Sequence, residues 1–228
     1  MSKETNDARN AIFASIRQNL AASLPFDASH HAHHGQLDSE YTASLSPAIS
    51  KELLIENFCK SLEFVSGKYS VVYDETEAAE VLLSIISEKN ARKIAFSDSP
   101  LVKKIVGFLK MDAEFIENAS AEILFESDLG ITGAQLAIAE TGTLVLESES
   151  ERHRLTSLVP PAHVCILEAK NIRQTLGEIL EVLQSRLNPA ITFITGASRT
   201  SDIELTLAIG VHGPGELHVI LINKEEDE

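Results

Sequence analysis

Hydrophobic residues in this chain fall into short blocks whose spacing switches between the helical and the extended period. Ile12, Phe13, Ile16 and Leu20 recur at helical spacing, which predicts an amphipathic helix over residues 4–22. From about residue 22 to 45 the pattern dissolves into Ser, Asp, Gly, Ala and four histidines, the composition of a flexible linker or of an arm that docks on a neighbouring subunit. Ser46-Pro47 sets a cap before a proline at the first helical position. It opens a helix to about Ser66, with Leu54, Phe58 and Leu62 as its buried stripe and Gly67 as its stop. The pattern thus divides the chain into a helix with linker, 1–45, and a domain over 46–228 with a short acidic tail.

Within that domain the elements alternate. Strands are expected at Tyr69–Tyr73, Lys93–Ser97 and Ala113–Ile116, with helices at Thr76–Lys89 and from Ser99-Pro100 onward. Such alternation predicts an α/β fold, a Rossmann-like, mainly parallel sheet packed with helices. An antiparallel excursion follows: Ala134–Glu140 and Thr143–Glu149 read as a hairpin joined at Thr141-Gly142. A turn or short helix is expected over Arg152–Leu158, a strand at Val164–Glu168 and a helix over Ile172–Leu187. Strands at 191–195 and 217–222 close the domain.

Composition narrows the function. The 228 residues carry a formal charge of −15, which repels a nucleic-acid backbone, and no basic run with interleaved aromatics offsets it. Nucleic-acid binding is therefore not expected. No apolar run approaches the roughly 18 residues of a membrane span, and the polar start lacks the apolar core of a signal peptide, so a soluble protein is expected. Cys59 and Cys165 are too few for a disulfide framework or a cysteine-held cluster and read as buried thiols in a reducing cytoplasm. Against the acidic background Arg152, Arg154 and Arg199 are the candidates to hold an anion.

The strongest candidate loop is 195–204, Thr-Gly-Ala-Ser-Arg-Thr-Ser-Asp-Ile-Glu, followed by Gly210-Val211-His212-Gly213-Pro214-Gly215. An apolar strand that stops at a glycine and runs into small hydroxyls, Arg199 and carboxylates is where an α/β protein places a ligand loop. Ser201 and Glu204 fit a capping box, and backbone N–H groups there, with Arg199, can hold a carboxylate or phosphate. A well-capped turn without a ligand fits the same residues. Glu140, at the end of an apolar strand beside a tight turn, reads as a partly desolvated base or nucleophile, or as a hairpin glutamate facing water. His153, His163 and His212 each can act as acid or base near neutral pH, and His212, set between glycines, ranks first. The tract His30, His31, His33 and His34 has no rigid neighbours to hold a metal, so no metal site is expected. Phosphate-loop, dinucleotide-fingerprint and nucleophile-elbow motifs are missing from the sequence.

Three stretches in this order carry a resemblance: Gly-Ile-Thr-Gly-Ala at 130–134, Ala-Ile-Ala-Glu-Thr-Gly-Thr-Leu-Val-Leu-Glu-Ser at 137–148, and Gly-Ala-Ser-Arg-Thr-Ser-Asp-Ile-Glu-Leu at 196–205 with Gly-Val-His-Gly-Pro at 210–214. They resemble the LUD family over roughly residues 46–223. The resemblance implies the Rossmann-like fold of the sugar-phosphate isomerase and CoA-transferase superfamily. It also implies a part in oxidising L-lactate to pyruvate beside two iron–sulfur partner proteins. The clusters are then expected on the partners, with no cofactor in this chain. Ala139-Glu140-Thr141-Gly142 is loosely similar to the Ser-Glu-Asn-Gly stretch that carries the nucleophile of class I CoA transferases.

The resulting expectation is a pocket at the C-terminal edge of the sheet for a small anionic metabolite. Glu140 and His212 would be its catalytic groups. Thr141, Gly142, Thr143, Arg154, Gly196, Ser198, Arg199, Thr200, Asp202 and Gly213 would bind the ligand. A stand-alone acyl- or CoA-transferase-like or sugar-phosphate enzyme, and a metabolite sensor of the same fold, are the alternatives. A homo-oligomer built through the N-terminal helix is a further expectation.

Overall fold

A computed structural model describes residues 12–15, 17–18, 49–148, 154–185, 189–200, 208–209 and 213–224. Residues 12–15 and 17–18 are helical and exposed, and they belong to a unit, Met1–Pro47, separate from the domain Ala48–Glu228. The histidine tract lies outside the described residues.

Each longer helix of the domain begins where a short polar side chain can take a free backbone N–H. Ser50 accepts from Leu53 N–H to start α1 (Lys51–Phe64), and Asp74 accepts from Thr76 and Glu77 N–H to start α2 (Glu75–Glu88). The short helices α3 (Pro100–Val106) and α4 (Ala121–Phe125) follow, and Thr175 caps α5 (Leu176–Gln184).

Six strands form a parallel sheet: β1 (Lys68–Val72), β2 (Lys93–Phe96), β3 (Glu114–Glu117), β4 (Leu129–Gly133), β7 (Ala162–Glu168) and β12 (Glu216–Ile222), in the spatial order β1-β12-β7-β4-β2-β3. A second, four-stranded sheet has the order β8-β5-β6-β9, from β5 (Leu136–Ile138), β6 (Thr143–Glu147), β8 (Ile172–Arg173) and β9 (Ile191–Thr195). A short antiparallel pair joins β10 (Arg199–Thr200) to β11 (Ala208–Ile209).

The period of two along the central strands decides which layer each residue enters. Val164 and Ile166 of β7 and Ile220 and Ile222 of β12 pack with α2 and α3 on one face. The alternate residues, Cys165 and Leu167, Val219 and Leu221, meet Phe58 and Leu62 of α1 and Ala137, Leu144 and Leu146 of the second sheet. The far face of that second sheet, Leu136, Ile138 and Val145, is closed by Ile179 and Leu183 of α5. The layers therefore run helices, parallel sheet, second sheet with α1, and α5. Strands with both faces covered read as continuous apolar runs, as β7 and β12 do.

The α/β class, the mainly parallel sheet and the hairpin excursion are present, with local differences, the first being that α1 starts at Lys51 behind its cap Ser50 and not at Ser46-Pro47. Leu129–Gly133, where no strand is expected above, is β4, buried along its whole length at the middle of the sheet. Its two glycines hide the strand because they contribute no side chain to the alternation. The helix expected from Ile172 begins at Leu176, because Ile172 and Arg173 pair with Ala137 and Ile138 as β8. The short helix α4, between β3 and β4, has no counterpart among the expected elements.

Candidate functional site

A cavity of about 580 Å³ opens beside the N-terminal ends of β7 and β12. One wall is the loop that leaves β9, Gly196-Ala197-Ser198-Arg199. Gly196 has φ 75°, and a Cβ there would stand 2.2 Å from the Val65 carbonyl oxygen, so only glycine lets the loop lie against the end of α1. Ser198 N–H donates to Pro214 O at 2.8 Å, and Gly215 N–H donates to Pro161 O at 2.9 Å. These bonds tie the loop to the segments that enter β12 and β7. Arg199 reaches back to the α1 terminus, where its guanidinium donates to Ser66 Oγ.

The opposite wall is His163, on β7. Its register partner on β4 is Gly130, and its Nε2 lies 2.8 Å from Thr132 Oγ1 on the same strand. The ring is 2% exposed and Nδ1 has no hydrogen-bond partner. Burial disfavours the imidazolium and pushes the ring down to about 3, so it is neutral across the physiological range. A neutral ring with one nitrogen occupied leaves the other as a hydrogen-bonding atom rather than a cation. Thr195 completes a thread of hydroxyls, with Thr143 Oγ1 2.8 Å from Thr195 Oγ1 and 2.7 Å from Thr141 Oγ1.

Among the described residues that line the cavity, Arg199 is the one charged side chain. Phe64, Phe193 and Leu158 also line it and are 88%, 43% and 39% exposed, which makes an apolar rim.

Gly196, Ser198, Arg199 and Gly213 meet at this cavity. Thr200 continues the loop into β10. Thr141 and Thr143 connect to it through Thr195, and Gly142, at φ 63°, packs its backbone against Leu62 of α1. Glu140 does not line the cavity: its carboxylate accepts from Leu176 N–H at 3.0 Å, at the first residue of α5. Arg154 is exposed on a single 3-10 turn and also stays outside the lining. Asp202 and His212, with Arg152 and His153, lie outside the described residues.

The cavity lies at the N-terminal ends of β7 and β12, not at the C-terminal edge where the loop was expected. The cause is that β9 belongs to the second sheet, antiparallel to β6, so its carboxyl end points toward the entry of β7. His163 ranked below His212 in the sequence because its face and its Thr132 partner depend on strand register. The 31-position separation of Thr132 and His163 leaves no local signal of the pairing.

Cys59 and Cys165 are buried, and burial together with the Glu63 charge pushes the Cys59 thiol up to about 11. Among the described residues no group of three or more His, Cys, Asp or Glu is placed to hold a metal ion. Nor is any helix among them long and apolar enough to cross a membrane.

Fold and cavity together define an α/β protein with two facing sheets and a pocket of mixed lining in which, among the described residues, Arg199 is the cationic side chain. The LUD domain model matches residues 55–222, and the chain belongs to the LUD domain family. It is 32% identical over 160 residues to lactate utilization protein C of Deinococcus radiodurans, covering 68% of this chain and 74% of that protein. It is 27% identical over 201 residues to the protein of the same name from an Exiguobacterium species, covering 81% and 86%. An uncharacterised protein of Neisseria meningitidis serogroup B is 31% identical over 150 residues, and the chain spans 58% of its length. The crystal structure of a DUF162 family protein from Deinococcus radiodurans matches with a TM-score of 0.61 and 24% identity, over 76% of this chain and 99% of that one. That match concerns the fold alone.

Proposed function

We propose that this chain is a cytoplasmic component of an L-lactate utilisation system and binds a small 2-hydroxy or 2-keto carboxylate in the cavity between the 196–199 loop and His163. The observation that carries this reading is the charge of the lining: in a protein of net charge −15, the charged side chain among the described lining residues is a cation, Arg199. A guanidinium pairs with a carboxylate through two parallel N–H donors. The neutral His163 ring and the hydroxyls of Ser198 and Thr195 then offer partners for the adjacent hydroxyl or carbonyl oxygen. Names of relatives such as those from Deinococcus and Exiguobacterium support lactate utilisation as the setting.

As the family resemblance implies, electrons from lactate would pass through cluster-bearing partner proteins; the two cysteines of this chain are fewer than the four thiolates that hold a cluster. The apolar rim of Phe64, Leu158 and Phe193 is the surface on which such a partner closes the cavity. Titration calorimetry of the full chain with L-lactate and with pyruvate tests the reading. Saturable binding is expected, weakened roughly ten- to hundredfold in Arg199→Ala, the range for a lost hydrogen bond to a charged group. If neither acid binds the wild-type chain, or if Arg199→Ala binds as tightly as wild type, the reading fails.

A further inference from the structure

We propose that the chain has a second binding site, for a small phosphate-bearing ligand, in a cleft between the C-terminal edge of the parallel sheet and the second sheet. The proposal does not depend on the lactate reading. Topology points to the place first. From β2 the chain moves to β3 on one flank, whereas from β4 it returns at β7 on the other flank, and β2 and β4 are neighbours. Connections that diverge from adjacent parallel strands leave a crevice outside their carboxyl ends, the position where open α/β sheets take ligands. A cleft of about 470 Å³ lies there, bounded by Ser99 after β2, Gly133 at the end of β4 and Glu168 at the end of β7. His163 stands near the other end of β7, so five strand residues, about 17 Å, separate the two sites.

Among apolar neighbours, the polar side chains that line the cleft include the donors Ser99, Gln135, Lys170, Asn171 and Arg173. Ser99 is 8% exposed, and its hydroxyl makes no capping bond to α3 although it holds the cap position. Gln135 spends its carbonyl oxygen on Glu147 N–H at 2.7 Å, which leaves its amide N–H groups as donors. Arg173 uses Nη1 on the carbonyls of Lys170 and Ile172, at 2.9 and 3.0 Å, which fixes the guanidinium from one side.

The charges sum in favour of an anion. Glu168 is the acidic lining residue, and Lys170 Nζ is 3.1 Å from its Oε1, so that pair cancels and Arg173 remains. An anchored guanidinium, a buried serine hydroxyl and an amide N–H lining one cleft offer the kind of donors a phosphate monoester takes, whose three terminal oxygens accept from several directions. A monocarboxylate has two oxygens and fills fewer of these donors.

Inorganic phosphate is the probe, titrated calorimetrically into the full chain, with acetate as a second ligand and with Ser99→Ala, Arg173→Gln and Arg199→Ala as variants of confirmed native melting profile. Saturable phosphate binding is expected at millimolar concentrations. It should weaken about tenfold in both Ser99→Ala and Arg173→Gln, stay unchanged in Arg199→Ala and resist competition by acetate. Should Arg173→Gln fail to fold, Ser99→Ala alone decides the matter. The proposal is overturned if folded wild-type protein shows no saturable phosphate binding, if Ser99→Ala binds phosphate as wild type does, or if acetate displaces it equally. Loss of phosphate binding in Arg199→Ala would also overturn it, by placing the anion in the first cavity. Because the lactate reading is tested by Arg199→Ala against lactate and pyruvate, either reading can fail while the other stands.

Discussion

Replacing His163 by glutamine should flatten the acid side of the stability curve by a calculable amount. In the unfolded chain an imidazole titrates near 6.5, whereas burial holds the native ring at about 3. Between those values the unfolded state binds a proton that the native state does not, so stability falls as the pH falls. The limiting slope is about 1.4 kcal/mol per pH unit. Integrated from about pH 7.5 to about pH 5, with the unfolded ring half-titrated near 6.5, the loss is ~2 kcal/mol. The result is insensitive to the native value as long as that value lies well below the lower pH. Glutamine has no titrating group and offers an amide to Thr132 Oγ1 in place of Nε2. His218, Glu75 and Glu216 also titrate below their usual ranges, but they are present in both proteins and cancel in the difference. Urea unfolding across that pH range, extrapolated linearly, gives the two curves. Wild type should lose ~2 kcal/mol more than His163→Gln over the interval. Parallel curves would refute the argument, because they would mean that the native ring takes up its proton as readily as the unfolded one.

Gly196→Ala should destabilise the domain by ~2 kcal/mol or more, read as a lowered urea midpoint, since the φ of 75° is strained for alanine and its Cβ meets the Val65 carbonyl. The same variant should weaken lactate binding, because the loop carrying Arg199 must lift from α1. Lys224 and Lys104 hold the Glu75 carboxyl at about 2, so the stabilisation they provide is complete above 4.5 and is lost as the pH falls through about 2. The Tm gap between wild type and Glu75→Gln should therefore close on acidification across that window. A gap that stays constant would show that the lysines do not act on the carboxylate.

Local chemistry in the sequence determined most of the elements and their order. Capping residues before α1, α2 and α5, the proline that opens α3, and the apolar blocks of β7, β9 and β12 are each decided within a few residues of chain. The motif around 196–199 marked a wall of the cavity for the same reason: a glycine needing φ 75° followed by Ser198 and Arg199 is a local statement. What tertiary structure alone decided is which ends of which strands these residues face. Parity along β7 sends His163 and Cys165 to one layer and Val164 and Ile166 to the other, but only pairing with β4 brings Thr132 within 2.8 Å of the ring. Glu140 reads in sequence equally as a partly desolvated base or nucleophile and as a hairpin glutamate facing water. In the fold its carboxylate accepts from the first N–H of α5, a helix 36 residues further on. Membership of β9 in the second sheet reversed the expected end of the domain at which the Arg199 loop opens. Sequence pattern is periodic and local, whereas a binding site is a meeting of segments distant in the chain, and strand register and layer order set that meeting.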